Sequence, residues 1–343
     1  EKLDLSGNDF RSLPTSMTNL SRLKYARLSN CIKLEALPEL TQLQTLKLSG
    51  CSNLRSLLNL SRAFHKRVRY GLLELGLDKC RNFIALSYQV RQLTSLIHLD
   101  LSRHDFEAIP ESIRELSSLG TLCLNNCKKI KSVKDLPESL KHLYAHGCDS
   151  LENVSLSSNH SIEQLDLSHC FSMKQVEHLI TQILNDGFSQ VVTERFACLP
   201  GTKVPSCFDN QALGTSTKVS LLPVRATPKL VGFAACIVIA CKTPTHLQFP
   251  AFTYSWSCEA DGVIRITLYF SPEMVEEEET VALHHLVIIH IANSINTQEF
   301  DELRLESHLR FSEDVQYPPG EIKAVGIRVA DIRPKKRRND NQL

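Results

Sequence analysis

Aromatic rings, net charge and long apolar runs are all scarce in this sequence. Of its 343 residues only 6% are aromatic and one is tryptophan, so any core has to be built from leucine and β-branched side chains. Lysine and arginine number 39 against 38 aspartates and glutamates, a formal charge of +1. A dedicated nucleic-acid or membrane-surface binder needs a basic excess that is missing here. The longest apolar stretch, Leu230 to Cys241, is too short to span a bilayer and has strand-like content. The opening residues show neither the basic n-region nor the apolar h-region of a secretory signal. Glu1 opens inside a patterned segment without an initiating methionine, which predicts a chain cut from a longer product. No G-x-x-x-x-G-K-[ST], G-x-S-x-G, H-E-x-x-H or G-x-G-x-x-G occurs, so no ATP site, serine elbow, zinc helix or dinucleotide site is expected. His284, His285 and His290 fall on or beside a candidate strand, away from any identifiable catalytic cysteine. The reading is a non-catalytic chain without a cofactor. Its 42% hydrophobic and 22% charged residues are those of an ordinary globular protein, long enough for two domains.

What is abundant is leucine at a fixed spacing. The template L-x-x-L-x-L-x-x-N/C fits Leu43, Leu46, Leu48, Cys51; Leu72, Leu75, Leu77, Cys80; Leu119, Leu122, Leu124, Cys127; and Ile162, Leu165, Leu167, Cys170. Looser copies end at Cys31 and Cys148, one carries the off-pattern His104, and the first keeps Leu3, Leu5 and Asn8. The ladder positions 8, 31, 51, 80, 104, 127, 148 and 170 recur every 20–29 residues, the period of leucine-rich repeats. Each x-L-x-L-x is read as a short strand with its leucines inward and its flanking residues outward on a concave face. The ladder residue turns the chain and offers its side chain to backbone groups of the turn, asparagine well, cysteine weakly while packing as a small buried hydrophobe.

This register absorbs six of the twelve cysteines: Cys31, Cys51, Cys80, Cys127, Cys148 and Cys170. No disulfide framework is needed, which favours a reduced, intracellular setting over an extracellular one. Four glycosylation tripeptides, at Asn19, Asn59, Asn153 and Asn159, are the features on the other side. No metal site is expected. His142 and His146 are four residues apart on one strand, about 13 Å at ~3.3 Å per residue. Cys198, Cys207, Cys236, Cys241 and Cys258 lack paired C-x-x-C spacing.

After Cys170 the period fails. Helical spacing over residues 173–186 predicts a helix capping the open end of the solenoid. Beyond about Val192, strands are expected at Lys218–Leu221, Val231–Ala240, Phe252–Ser257, Val263–Phe270, Leu286–Ile291, Leu303–Phe311 and Ile322–Val329. Without intervening helices these indicate an antiparallel sandwich or jelly roll. The expected organisation is thus leucine-rich repeats over 1–172, a capping helix and linker over 173–190, a β-sandwich over 191–333 and a basic disordered tail over 334–343. The fold class is an α/β leucine-rich-repeat solenoid, a partial horseshoe of about eight repeats, followed by an all-β jelly-roll/Ig-like sandwich.

Cysteine at the ladder position and the recurring L-P step (Leu13-Pro14, Leu37-Pro38, Leu136-Pro137) resemble the repeats of plant intracellular immune receptors. The run Cys198-Leu199-Pro200-Gly201-Thr202-Lys203-Val204-Pro205 with Phe208, then Gly232-Phe233 and Val325-Gly326, resembles the C-terminal jelly-roll/Ig-like domain that follows such repeats. The two together resemble the C-terminal part of a TIR-NBS-LRR disease resistance protein. Two departures are Cys207, where that family usually has tryptophan, and Val325, where it often has cysteine. The resemblance implies a chain that binds a pathogen effector or guarded host protein through the concave face and the jelly-roll loops, triggering defence signalling by upstream TIR and nucleotide-binding modules. Self-association would run through those upstream domains, and any NAD-consuming activity would lie there. Rivals are a truncated decoy or regulator, and a substrate adaptor of a ubiquitin ligase.

The register places Tyr25, Arg27, Lys47, His98, Asp100, His142, Tyr144, His146, Gln164 and Asp166 on the candidate partner-binding face, among further outward positions such as Lys2, Asp4, Glu74, Asp78 and Cys123. Tyrosine commonly anchors protein contacts, and replacing Tyr144 and His146 with alanine is expected to abolish partner binding. Residues Arg62–Arg69 lengthen one repeat and read as an exposed convex loop; Glu276–Glu279 read as a solvated loop. Lys335, Lys336, Arg337 and Arg338 form a nuclear-import candidate, so cytoplasm or nucleus is the expected compartment; an unaltered localisation after their deletion would refute import.

Overall fold

A leucine between two polar residues is the unit from which the first half is assembled. The computed structural model describes residues 1–40, 42–55, 57, 71–80, 88–157, 160–185, 194–220, 230–244, 253–259, 261–270, 280–296, 302–311 and 320–331. The chain divides into two compact units, Glu1–Gln175 and Val176–Leu343, and is mostly β with few helices.

In the first unit, three-residue strands stack in parallel and in chain order: β1 (Lys2–Asp4), β2 (Tyr25–Arg27), β3 (Thr45–Lys47), β4 (Glu74–Gly76), β5 (His98–Asp100) and β6 (Thr121–Cys123). After the two-residue β7 (Ser132–Val133) the stack resumes with β8 (His142–Tyr144), and after β9 (Asn153–Val154) it ends at β10 (Gln164–Asp166). The register aligns the middle residues Ala26, Leu46, Leu75, Leu99, Leu122, Leu143 and Leu165, which are 0–2% exposed. Burying a leucine contributes about 1.5–3 kcal/mol, so this spine supplies much of the cohesion between repeats. The backbone ladder continues past each strand: Leu28 N donates to Lys47 O at 2.8 Å, and Leu77 N to Asp100 O at 2.9 Å.

Each repeat then reverses through one residue in the left-handed region, just before its ladder position. These residues are Gly7, Asn30, Gly50, Lys79, Arg103, Asn126, Gly147 and His169, with φ between 58° and 73°. At Gly50 φ is +72°, and an added Cβ would meet Asn30 Oδ1 at 2.5 Å, so a larger residue there would also have to displace the Asn30 amide. Lysine gains nothing from a left-handed backbone, which costs a side-chain-bearing residue ~1–2 kcal/mol. Lys79→Gly is therefore expected to raise the stability of the first unit by about 0.5 kcal/mol net of the added unfolded-state entropy, read as a higher urea midpoint; a lower midpoint would contradict this account.

The ladder cysteines bond across repeats. Cys31 Sγ donates to Leu5 O (3.2 Å), Cys51 to Leu28 O (3.0 Å), Cys80 to Leu48 O (3.2 Å), Cys127 to Leu101 O (3.3 Å), Cys148 to Leu124 O (3.2 Å) and Cys170 to Ala145 O (3.0 Å). Each acceptor lies three residues before the preceding ladder position. Asn8 and the off-pattern His104 instead reach the equivalent carbonyl of their own repeat, Leu5 O at 2.9 Å and Leu101 O at 2.8 Å. The imidazole, 5% exposed and stacked on Phe106, thus takes over an asparagine-like bond. The weak backbone bonding expected of a ladder cysteine is thus present at all six positions, directed to the repeat before its own.

The second unit opens with helix α1 (Val176–Asn185), within the expected 173–186. Leu179, Ile180, Ile183 and Leu184 on it are buried, the i, i+1, i+4, i+5 pattern of one apolar stripe. The buried Arg195 donates to the carbonyl of Ile183 at 3.1 Å, tying the helix to β11 (Glu194–Pro200). The remaining strands are β12 (Asn210–Leu213), β13 (Ser216–Ser220), β14 (Leu230–Pro244), β15 (Thr253–Cys258), β16 (Val263–Phe270), β17 (Thr280–Asn296), β18 (Glu302–Phe311) and β19 (Gly320–Asp331). Strands β11, β17, β14, β19 and β12 pair antiparallel in that order. The second sheet runs β13, β18, β16, β15, with β13–β18 and β15–β16 antiparallel. The two sheets share one core: Phe233, Ile237, Ile289 and Ile327 from the first meet Ile264, Ile266, Leu303 and Leu305 from the second. His285 and His290 of β17 are fully buried within this unit.

Three features depart from the expected strands and their pairing. Strands β16 and β18 are parallel, because the chain crosses to the other sheet as β17 between them and returns in the same direction. Strands β11 and β12 were not expected: β11 begins in a polar, unpatterned stretch, and Asn210–Leu213 has little β propensity. Residues 62–69, 276–279 and 335–338 lie outside the described residues, as do Asn59 and Asn159.

The candidate partner-binding face

Because strand side chains alternate, the residues flanking each buried middle position share one face. The parallel register sorts them into two rows. One reads Lys2, Tyr25, Thr45, Glu74, His98, Thr121, His142, Gln164; the other Asp4, Arg27, Lys47, Gly76, Asp100, Cys123, Tyr144, Asp166. Neighbours along a row are one strand spacing apart, ~4.8 Å, close enough for adjacent side chains to touch. Nine of the ten sequence-derived candidates lie in these rows and His146 just beyond them, and their exposure differs. Arg27 and Gln164 are exposed, Tyr25, Lys47, His98, Asp100, His142, Tyr144 and Asp166 are half-buried, and His146, just beyond β8, is buried at 7%.

The face has three stretches. At one end Lys2 Nζ sits 5.8 Å from the centre of the Tyr25 ring, and Arg27 and Lys47 follow along the second row, a basic stretch. In the middle, Gly76 leaves a notch: an added Cβ would stand 3.0 Å from Lys47 Cδ. The lysine stem lies over the notch and its ammonium pairs with Glu74 at 3.9 Å. Arg103 pairs with Asp78 at 3.7 Å, so Glu74 and Asp78 each meet a basic neighbour. Burial, with the Lys47 charge beside it, lowers the His98 pKa and favours the neutral ring; burial likewise pushes the Cys123 thiol up to about 12.

The far end is aromatic and hydrogen-bonded. His142 and Tyr144 stack with ring centres 6.4 Å apart. Tyr144 Oη donates to Gln164 Oε1 at 2.5 Å, and His142 Nδ1 bonds Thr121 Oγ1 at 3.1 Å. Burial raises the Tyr144 pKa. Asp166 is fixed by Ser168, whose hydroxyl donates to Oδ1 at 2.6 Å and accepts from His146 Nδ1 at 2.8 Å. His146 is therefore a positioning residue for Asp166, and burial lowers its pKa toward the neutral form. At the opposite end Asp4 accepts equivalent bonds from Ser6 (2.7 and 3.0 Å), which hold its carboxyl below the usual range. An aspartate at the strand end with serine two residues on recurs at Asp4-x-Ser6, Asp100-x-Ser102 and Asp166-x-Ser168. That spacing is readable from sequence and went unread.

In the second unit the recognised motif residues cluster on structural duties. Cys198 and Phe233 are in the shared core. Pro205 O accepts from Phe208 N at 3.1 Å and from Gln211 Nε2 at 3.0 Å, closing a turn. An added Cβ on Gly326 would stand 2.5 Å from Val204 and 3.1 Å from Phe208, and one on Gly201 would stand 2.6 Å from Leu286. Pro200 pairs with His285, and Gly232 sits at a register shift in β14. Val325 is buried in the core, Cys207 is half-buried at the turn.

A parallel stack of x-L-x strands with a polar outer face defines a leucine-rich-repeat solenoid. Comparison with known proteins narrows the class. Residues 199–332 match the C-JID domain family. The chain is 31% identical to disease resistance protein RPS4B of Arabidopsis thaliana, covering 69% of this chain and 21% of that protein. To disease resistance protein RPS4 of the same plant it is 32% identical, covering 71% and 21%. The leucine-rich-repeat domain of the type III effector XCV3220 (XopL) aligns at 20% identity and a TM-score of 0.40, covering 53% of this chain and 65% of that one. The chain is a relative of plant TIR-NBS-LRR disease resistance proteins, corresponding to their repeat and C-JID part, and spans about a fifth of those relatives' length. No helix among the described residues is long and apolar enough to cross a membrane.

Proposed function

We propose that this chain is the non-catalytic recognition region of an intracellular plant immune receptor, and that the two-row strand face of the first unit binds a pathogen effector or a guarded host protein. The observation that carries the reading is the face itself: basic, acidic and aromatic side chains, grouped in successive stretches, are set at fixed spacing on a spine of buried leucines. Rigid backing lowers the entropy lost on binding, and Tyr25 and Tyr144 offer the amphipathic area that interfaces favour. In a full-length receptor the bound partner would release upstream nucleotide-binding and TIR modules. We read the second unit as a jelly-roll/Ig-like sandwich; the crossing from β16 through β17 to β18 supports that reading, as does its core shared between two sheets.

The test is capture of the partner from infected tissue with the native chain and with an Arg27→Ala/Tyr144→Ala variant. A protein retained by the native chain and depleted about tenfold or more by the variant is expected, since two anchor residues together are worth ~2 kcal/mol or more. Equal retention would remove the face from the binding role.

A further inference from the structure

The first sheet of the second unit ends at β12, the last strand in its order. Two observations set this edge apart. Leu213 on it exposes 90% of its surface, far more than any other large exposed apolar residue among those described. Beside it lies a groove of about 450 Å³ with Val204, Ala212, Leu213 and Ala324 in its walls, together with Lys203 and Lys323. Lys323 pairs with Glu321, while Lys203 is exposed.

The backbone at this edge is set in a definite phase. Gly214 N donates to Lys323 O at 2.9 Å, so the 214–323 pair is hydrogen-bonded. Hydrogen-bonded pairs alternate along an antiparallel ladder. With Asn210 opposite Ile327 and Ala212 opposite Val325, those two residues turn their peptide groups toward β19. Gln211 and Leu213 turn theirs away from the sheet. The strand is also locked in place, because the Gln211 side chain donates to Pro205 O and to Phe208 O at 2.8 Å. An edge held rigid, with outward peptide groups, an uncovered leucine and a lysine-flanked apolar groove, is a template for a further strand.

We infer that β12 docks an extended peptide segment of a partner protein, which adds to the sheet as an antiparallel or parallel strand. It would place an apolar side chain in the groove against Leu213 and carry an acidic residue opposite Lys203, whose charge, unlike that of Lys323, is not already met by Glu321. The partner's chemistry follows from the charge of the groove walls and from their apolar floor. This site is separate from the strand face of the first unit and does not depend on that face binding anything.

The probe is a fluorescent-labelled peptide, Glu-Val-Thr-Val-Thr-Glu, titrated against the full chain. Saturable binding is expected. N-methylation of alternate peptide amides, on the set that faces β12, is expected to weaken it about thirtyfold, as for two lost hydrogen bonds. Exchanging both glutamates for lysine is expected to weaken it about tenfold. Leu213→Asp, at a site exposed enough to leave the fold intact by circular dichroism, should abolish it, and Tyr144→Ala should leave it unchanged. No binding, or equal binding with either N-methylated register, would overturn the proposal. So would a concentration-dependent dimer in sedimentation that Leu213→Asp dissolves, since the edge would then belong to a second copy of this chain.

Discussion

Raising the pH from 9 to 12 should unfold the first unit well before the peptide backbone or the lysines alone would dictate. Burial pushes the Cys51 thiol up to about 11 and those of Cys80, Cys123 and Cys127 up to about 12, from an ordinary value of 9.0. The folded state therefore holds these protons more tightly than the unfolded chain. Stability is fully present below about pH 9, where both states are protonated, and is lost as the pH rises toward the folded values. A tenfold difference in proton affinity is worth about 1.4 kcal/mol, so four such thiols together rival the ~5–15 kcal/mol that holds a domain folded. The measurement is a urea midpoint at pH 8, 10 and 11. A steep fall, blunted in a Cys80→Ala/Cys127→Ala variant relative to its own value at pH 8, is expected. A flat profile would mean that the thiols ionise without unfolding. At pH 8 the same shifts leave roughly one thiol in ten thousand ionised where the value is about 12, so alkylation of the native ladder should be slow and that of the denatured chain rapid.

Gly326→Val should destabilise the second unit by about 3 kcal/mol or more, the scale of overpacking against backbone-anchored neighbours. The new Cβ would stand 2.5 Å from Val204 and 3.1 Å from the Cβ of Phe208. Phe208 is 1% exposed and has no space into which to withdraw. The single tryptophan, Trp256, lies in β15 and gives a fluorescence signal for this unit. The expected result is a thermal midpoint lowered by ten degrees or so with the first unit's transition in place. An unchanged midpoint would show that the 202–208 segment yields at little cost. Val204→Ala in the same chain should recover part of the loss, since it removes the nearer of the two contacts.

The repeat unit was readable to the residue because its period is a packing requirement. A leucine every repeat, at the same offset from a turn, has to stack on its neighbours, so Leu46, Leu75, Leu99 and Leu122 announce both strand and register. The outward rows follow from the same alternation. What the sequence could not announce is how far each outward side chain bends back. His146 has the spacing of a surface residue, yet it turns inward to bond Ser168, because a neutral imidazole with a hydroxyl partner is cheaply buried. Lys47 likewise covers Gly76 instead of standing clear. In the second unit the long apolar strands β14 and β17 were plain, but β11, a short apolar run behind Glu194-Arg195 and ending in proline, and the polar β12 carry no alternating pattern, and their places are set by partners far along the chain. The parallel pairing of β16 with β18 has no local signal at all; it follows only from the sheet to which β17 goes. The left-handed turn residues divide the same way. Gly7, Gly50 and Gly147 declare the conformation, whereas Lys79, Arg103 and His169 adopt it because the repeat on either side leaves no alternative.

The thiol bonds have a bearing on how such a solenoid comes apart. Each ladder cysteine ties its own repeat to the one before it, so a repeat pulled from the Cys170 end takes one such tie with it, and successive detachments cost similar work. At His104 the side chain bonds Leu101 O of its own repeat, so the seam between the Cys80 and His104 repeats is closed by backbone and leucine contacts and by the Arg103–Asp78 pair, without a cysteine donor. Pulled from its end, the stack should peel in small, even steps and then give way in a larger one at that seam. The same arithmetic makes the cysteine-linked repeats interchangeable: one copied or lost in register leaves every remaining tie intact, so the strand face can be lengthened or shortened without redesigning the joints.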